Sequence, residues 1–156
     1  MPTKRSRGPK SIRARAPRAS SELVRRVMQA NRPRGTKPEL AVRMALKQVG
    51  LRFRTDIAPE ASLKCKADFV FRKAGVCIFV DGCYWHGCPR HFVPPKTNFA
   101  WWREKIADNR RRDRHKRIQL RKMGWTVIRI WECALTPQRI ERTTSRVIRT
   151  VFERGS

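Results

Sequence analysis

Val76-Cys77-Ile78-Phe79-Val80 is the segment that most restricts what this chain can become. Five apolar residues without alternation suit a strand covered on both faces, which means a central strand with other elements packed above and below it. The run leads directly into Asp81-Gly82-Cys83-Tyr84-Trp85-His86-Gly87-Cys88-Pro89-Arg90-His91. A carboxylate, two thiols, two imidazoles and two large aromatics therefore cluster where a buried strand ends. Such a concentration of ligands points to a site at one end of the sheet.

The flanking segments supply the rest of a mixed α/β domain. Ser21 caps a helix running to Ala30, with Leu23, Val27 and Met28 on one side, and Asn31–Gly35 breaks it. Thr36-Lys37-Pro38-Glu39 has the form of a capping box, in which Glu39 would accept the Thr36 amide, and its helix runs to about Gly50. Leu51 and Phe53 then mark a short strand, and Ala67–Phe71 a second. After the loop 81–97, Asn98 caps a long helix from Phe99 to Met123, closed by Gly124. Trp102, Ile106, Asn109, Asp113 and Leu120 fall near one face of it. Trp125–Trp131 reads as a strand, and Thr136-Pro137 starts a last helix to about Phe152. The three-strand-plus-crossover core, a mixed central β-sheet flanked by helices, resembles restriction-endonuclease-like nucleases.

Lys and Arg total 38 against 12 acidic residues, a formal charge of +26. Neutralising phosphates and releasing their counterions would drive such a chain onto nucleic acid. No segment approaches the ~18–20 apolar residues of a membrane span, so an anionic bilayer is the poorer partner. Five cysteines and the lack of an apolar N-terminal signal segment point to reduced thiols and a cytoplasmic setting. Residues 1–19 carry seven Lys or Arg and no acid, and read as a disordered basic arm preceding a folded domain at 20–156. The protein is expected to act as a monomer.

Several residues carry candidate chemistry. If the second and third strands are antiparallel, Asp68 and Asp81 meet at one sheet end, where oxygen ligands can hold Mg²⁺ for phosphodiester hydrolysis. A salt bridge is the alternative for Asp68, and a plain Asp-Gly turn for Asp81. Glu39 has two competing roles, helix cap or outer-sphere catalytic carboxylate. His86 is placed to take a proton from attacking water. Cys83, Cys88, His91 and Cys133 can form a tetrahedral Cys₃His zinc site, whereas Cys65 and Cys77 look like unrelated buried thiols. Tyr84 and Trp85 suit core packing or wedging between bases, and Met28 could join them.

The stretches MQANRPRGTKPELAVRMAL, KADFVF, CIFVDGCYWHGCPRH, FAWWREKIADNRRRD and LRKMGWTVIRIWECAL resemble the very-short-patch mismatch-repair endonucleases, the Vsr family, over roughly residues 28–135. The resemblance implies nicking of double-stranded DNA beside a T·G mismatch, in concert with mismatch-repair proteins. It implies Mg²⁺ held by Asp68 and the backbone carbonyl of Val80, His86 as base with Glu39 assisting, and a structural zinc on Cys83 and Cys133. Tyr84, Trp85 and Met28 would match the family's intercalating wedge. Three departures stand out. Val80 replaces a Thr of the best-known members, Asp81 replaces their second catalytic His, and a shorter zinc loop leaves Cys88 and His91 to supply the middle ligands. Two other functions compete with mismatch nicking: a restriction-like or defence nuclease without mismatch preference, and a non-catalytic zinc-stabilised DNA-binding module.

Overall fold

A computed structural model of the chain describes residues 17–18, 22, 25–26 and 35–155. Most of the expected basic arm therefore lies outside the described residues, as does Met28. Of the expected Ser21–Ala30 helix only Glu22, Arg25 and Arg26 are described, and all three are helical.

Helix α1 spans Lys37–Gln48 and starts as its sequence dictates, with the Thr36 hydroxyl accepting the Glu39 amide. The return half of the capping box differs from expectation. The Glu39 carboxylate accepts the amide of Gly35 at 2.8 Å and the Thr36 hydroxyl at 2.9 Å, one residue further back than the Thr36 amide. Gly50, at φ +73°, closes the helix: its amide reaches the Lys47 carbonyl while Leu51 reaches that of Leu46.

Four strands follow, β1 (Arg54–Ile57), β2 (Ala67–Phe71), β3 (Val76–Asp81) and β4 (Thr126–Trp131). They lie in the order β1-β2-β3-β4, with the first two pairings antiparallel and the last parallel. The first strand begins later than the sequence suggests. Leu51 and Phe53 precede it and pack against the core, Phe53 with its ring edge-on to Phe69 at 5.3 Å. Their apolar alternation reflects burial rather than strand pairing. Helix α2 (Phe99–Lys122) is the crossover that a parallel β3–β4 pair requires. Its Asn98 sits at φ 57° and ψ 35°, and the side chain makes no capping bond, contrary to expectation. Asparagine tolerates the left-handed region, and in that geometry only its carbonyl serves the helix, accepting the Trp102 amide at 3.1 Å. Helix α3 is regular over Ile140–Gly155, later than the expected start at Thr136-Pro137, where the chain makes a turn that hands over to it.

Two apolar layers explain the unbroken run in β3. On one face Phe69, Phe71, Val76, Ile78 and Ile130 meet Val42 and Leu46 of α1 and Val147 and Val151 of α3. On the other, Val70, Cys77 and Val127 meet Leu120 of α2 and Cys65. Each large side chain so buried contributes roughly 1.5–3 kcal/mol. Cys65 and Cys77 are core residues, as expected, and burial pushes the Cys77 thiol up to about 12.

Candidate active site

The antiparallel β2–β3 pair brings Asp68 to the end of β3. Its Oδ2 accepts the Val80 amide at 2.6 Å. Burial raises the Asp68 carboxyl to about 6 against the pull of that hydrogen bond, and the nearby Glu39, Asp81 and Asp56 carboxylates raise it further. The side-chain charges acting on Asp68 are thus all negative, and the salt-bridge alternative has no support. Half-buried acids collected without a cation form a donor set suited to a hard divalent ion. Glu39 reaches this group from α1 while still capping its helix.

Asp81, the last residue of β3, is 6% exposed and has the opposite surroundings. Its Oδ2 accepts from Nε of Arg129, a β4 residue, and its Oδ1 lies 3.7 Å from Nδ1 of His86. Arg129 in turn stacks on Trp131, with Cζ 3.7 Å from the ring centroid. Arg129 did not stand out in the sequence reading. Its signal is a lone basic residue between two isoleucines of a strand.

His86 is held from below by α2. Its Nδ1 lies 2.7 Å from Oδ2 of Asp113, and the Asn109 amide group donates to the Trp85 carbonyl at 3.0 Å. With Nδ1–H donating to Asp113, Nε2 is the nitrogen free to accept a proton. Burial lowers the His86 pKa, but the Asp113 hydrogen bond and the Asp81 and Asp113 charges outweigh it, so the net shift is upward. The sequence placed Asp113 on the inner face of the helix without giving it this role. Gly87, at φ +63°, allows the approach. A Cβ there would stand 2.6 Å from Ile106 and 2.9 Å from Arg110, so only glycine fits between loop and helix.

Cys83, Cys88, His91 and Cys133 also converge, with their ligand atoms all within 4.8 Å of one another. Cys88 Sγ lies 4.0 Å from Cys133 Sγ and 3.7 Å from His91 Nδ1. A tetrahedral ion with bonds of about 2.3 Å to sulfur spaces its ligands about 3.8 Å apart, so the cluster fits a metal. Sheet register makes the meeting possible. Asp81 pairs with Trp131, and Cys83 and Cys133 each follow two residues later. Burial opposes ionisation of Cys88, but the backbone amides of Arg90 and His91 and the His91 ring bring its thiol down to about 6.

Tyr84 and Trp85 are half-buried. They pack edge-on to each other at 5.2 Å, and Tyr84 also meets Phe92 and Trp102. Core packing and an exposed edge are both present.

Comparison with known proteins agrees with this site. Residues 20–91 match the sequence profile of the DNA mismatch endonuclease Vsr family. The type II nicking enzyme V.NaeI of Lentzea aerocolonigenes is 46% identical over 109 residues, covering 69% of this chain and 66% of that protein. The type II nicking enzyme V.XorIIP of Xanthomonas oryzae pv. oryzae is 40% identical over 76% of this chain and 86% of its own length. The DNA mismatch endonuclease Vsr of Escherichia coli is 38% identical over 69% of this chain and 68% of its own. In fold, the catalytic domain of the homing endonuclease I-Bth0305I superposes with a TM-score of 0.52 at 18% identity, covering 78% of this chain and all of that one, which makes the fold restriction-endonuclease-like. Among the described residues no helix is long and apolar enough to cross a membrane. The chain belongs to the Vsr family of DNA endonucleases.

Proposed function

We propose that this endonuclease nicks one strand of duplex DNA beside a T·G mismatch, in a Mg²⁺-dependent reaction at the end of β3. The observation that carries the reading is the placement of Asp68 against Val80, with Asp81 and His86 beside them. Asp68 and the main-chain oxygen of Val80 would hold the ion, with Glu39 acting on its bound water. A divalent ion at this position polarises the phosphate and neutralises charge on the leaving oxygen. Asp113 orients His86, whose Nε2 takes the proton of the attacking water. The Cys83, Cys88, His91 and Cys133 cluster holds a structural zinc that fixes the loop bearing His86. Tyr84 and Trp85, with Met28, present apolar surface to the base stack. The protein works as a cytoplasmic monomer, supplying nicked DNA to mismatch-repair proteins.

Nicking of end-labelled duplexes tests this. A T·G duplex is cut and its T·A and C·G parents are not, and chelation with readdition of Mg²⁺ restores the activity. Equal cutting of all three duplexes would instead support a restriction-associated nuclease without mismatch preference. That second reading is favoured by the type II nicking enzymes among the relatives. The non-catalytic binding module would require Asp68, His86 and Asp113 to converge without purpose.

A further inference from the structure

Arg129 has one feature that its ion pair does not explain. Nε is committed to Asp81 and the guanidinium plane is stacked on Trp131. Nη2, however, is buried and makes no hydrogen bond among the described residues. A donor on a charged group left without a partner away from water is costly, and natural structures keep few of them. Arg117 of α2 lies close enough to feel the charges of Arg129, Asp81 and Asp113. Two guanidiniums are therefore held near each other, a repulsive arrangement that an anion relieves. Asp81 ties this pair to the proposed reaction centre, since its other oxygen faces His86 at 3.7 Å.

We propose that Arg129, supported by Arg117, binds a non-bridging oxygen of the DNA phosphate that is cleaved. The inference rests on the proposed endonuclease reaction at Asp68 and His86. The ligand class follows from the donor: a planar, fixed guanidinium with an open N–H matches a phosphate oxygen. Stacking on Trp131 and the bond to Asp81 preorganise that N–H. The contact strengthens as charge gathers on the phosphorus oxygens, which makes Arg129 a candidate catalytic residue.

The test is equilibrium binding in Ca²⁺ to duplexes that each carry a single methylphosphonate, scanned across the site. At one phosphate, the one that wild type nicks, the neutral substitution should weaken wild-type binding about tenfold, as loss of a charge-assisted hydrogen bond does. In Arg129→Gln the same substitution should cost nothing. The pair Asp81→Asn and Asp81→Asn/Arg129→Gln repeats the comparison with no uncompensated buried charge, which covers the case that the single variant does not fold. An equal methylphosphonate penalty with and without Arg129, or coupling only at a phosphate other than the cleaved one, would overturn the proposal. Absence of nicking by wild type on every duplex would count against the endonuclease reading, and the binding scan would still decide whether Arg129 holds a phosphate.

Discussion

Asp68 and Asp81 sit at the same end of the same sheet, yet their surroundings are opposite. Asp68 is half-buried, receives one backbone amide and is surrounded by other carboxylates. Asp81 is more deeply buried, but Arg129 neutralises one oxygen and the other faces an imidazole. An acid that lacks a cation in the folded chain is one prepared for a cation from solution, whereas an acid already paired serves to position its neighbours. By this comparison Asp68 is the ion-binding residue, and Asp81 the link between His86 and Arg129.

The strongest way to break the comparison is Asp68→Ala, which should abolish nicking while leaving DNA affinity, measured by anisotropy, nearly unchanged. Survival of nicking at the wild-type rate would place the ion elsewhere. Next, His86→Ala should slow single-turnover nicking by ~10²–10⁴-fold, the usual contribution of a general base. Asp113→Asn should cost up to ~10²-fold through misplacement of the ring. Arg129→Ala should then lower stability by about 3–5 kcal/mol in urea melts, because it strands the buried Asp81 charge. Asp81→Asn/Arg129→Ala should recover much of that loss.

The smallest effect sharpens the contrast through pH. The folded Asp68 carboxyl lies at about 6, above its ordinary 3.8, so the fold disfavours its charged form. The cost is absent below the unfolded pKa, grows as pH rises between the two values, and is fully present above about 6. Without divalent ions, Asp68→Asn should therefore stabilise the protein by about 2–3 kcal/mol at pH 8 and by nothing near pH 3. Added Mg²⁺ should raise the melting temperature of wild type and leave that of Asp68→Asn unmoved. A variant that is destabilised at pH 8 would mean that Asp68 already has a cationic partner.

Much of this was legible in the residues because it is local or periodic. The unbroken run in β3, the crossover helix and the Thr36 cap follow from burial pattern and capping chemistry. The same holds for the four metal-ligand candidates, whose spacing alone suggested a cluster. What escaped notice depends on tertiary partners. Arg129 and Asp113 look like members of a very basic chain and a charged helix until sheet pairing and helix packing bring them to Asp81 and His86. Asn98 misled because its type favours a cap while its backbone adopts a left-handed turn. The Gly35 amide could not be chosen over that of Thr36 without the path of the chain into α1.

The parallel register of β3 and β4 has one more consequence. Cys83 and Cys133 come side by side only because Asp81 is aligned with Trp131. Sliding β4 by a single residue would displace one sulfur by about 3.3 Å and turn it to the opposite side of the sheet. Capture of an ion by all four ligands thus works as a proofreading step for the most sequence-distant pairing in the molecule. Newly made chains that have zipped wrongly would stay recognisable as metal-free.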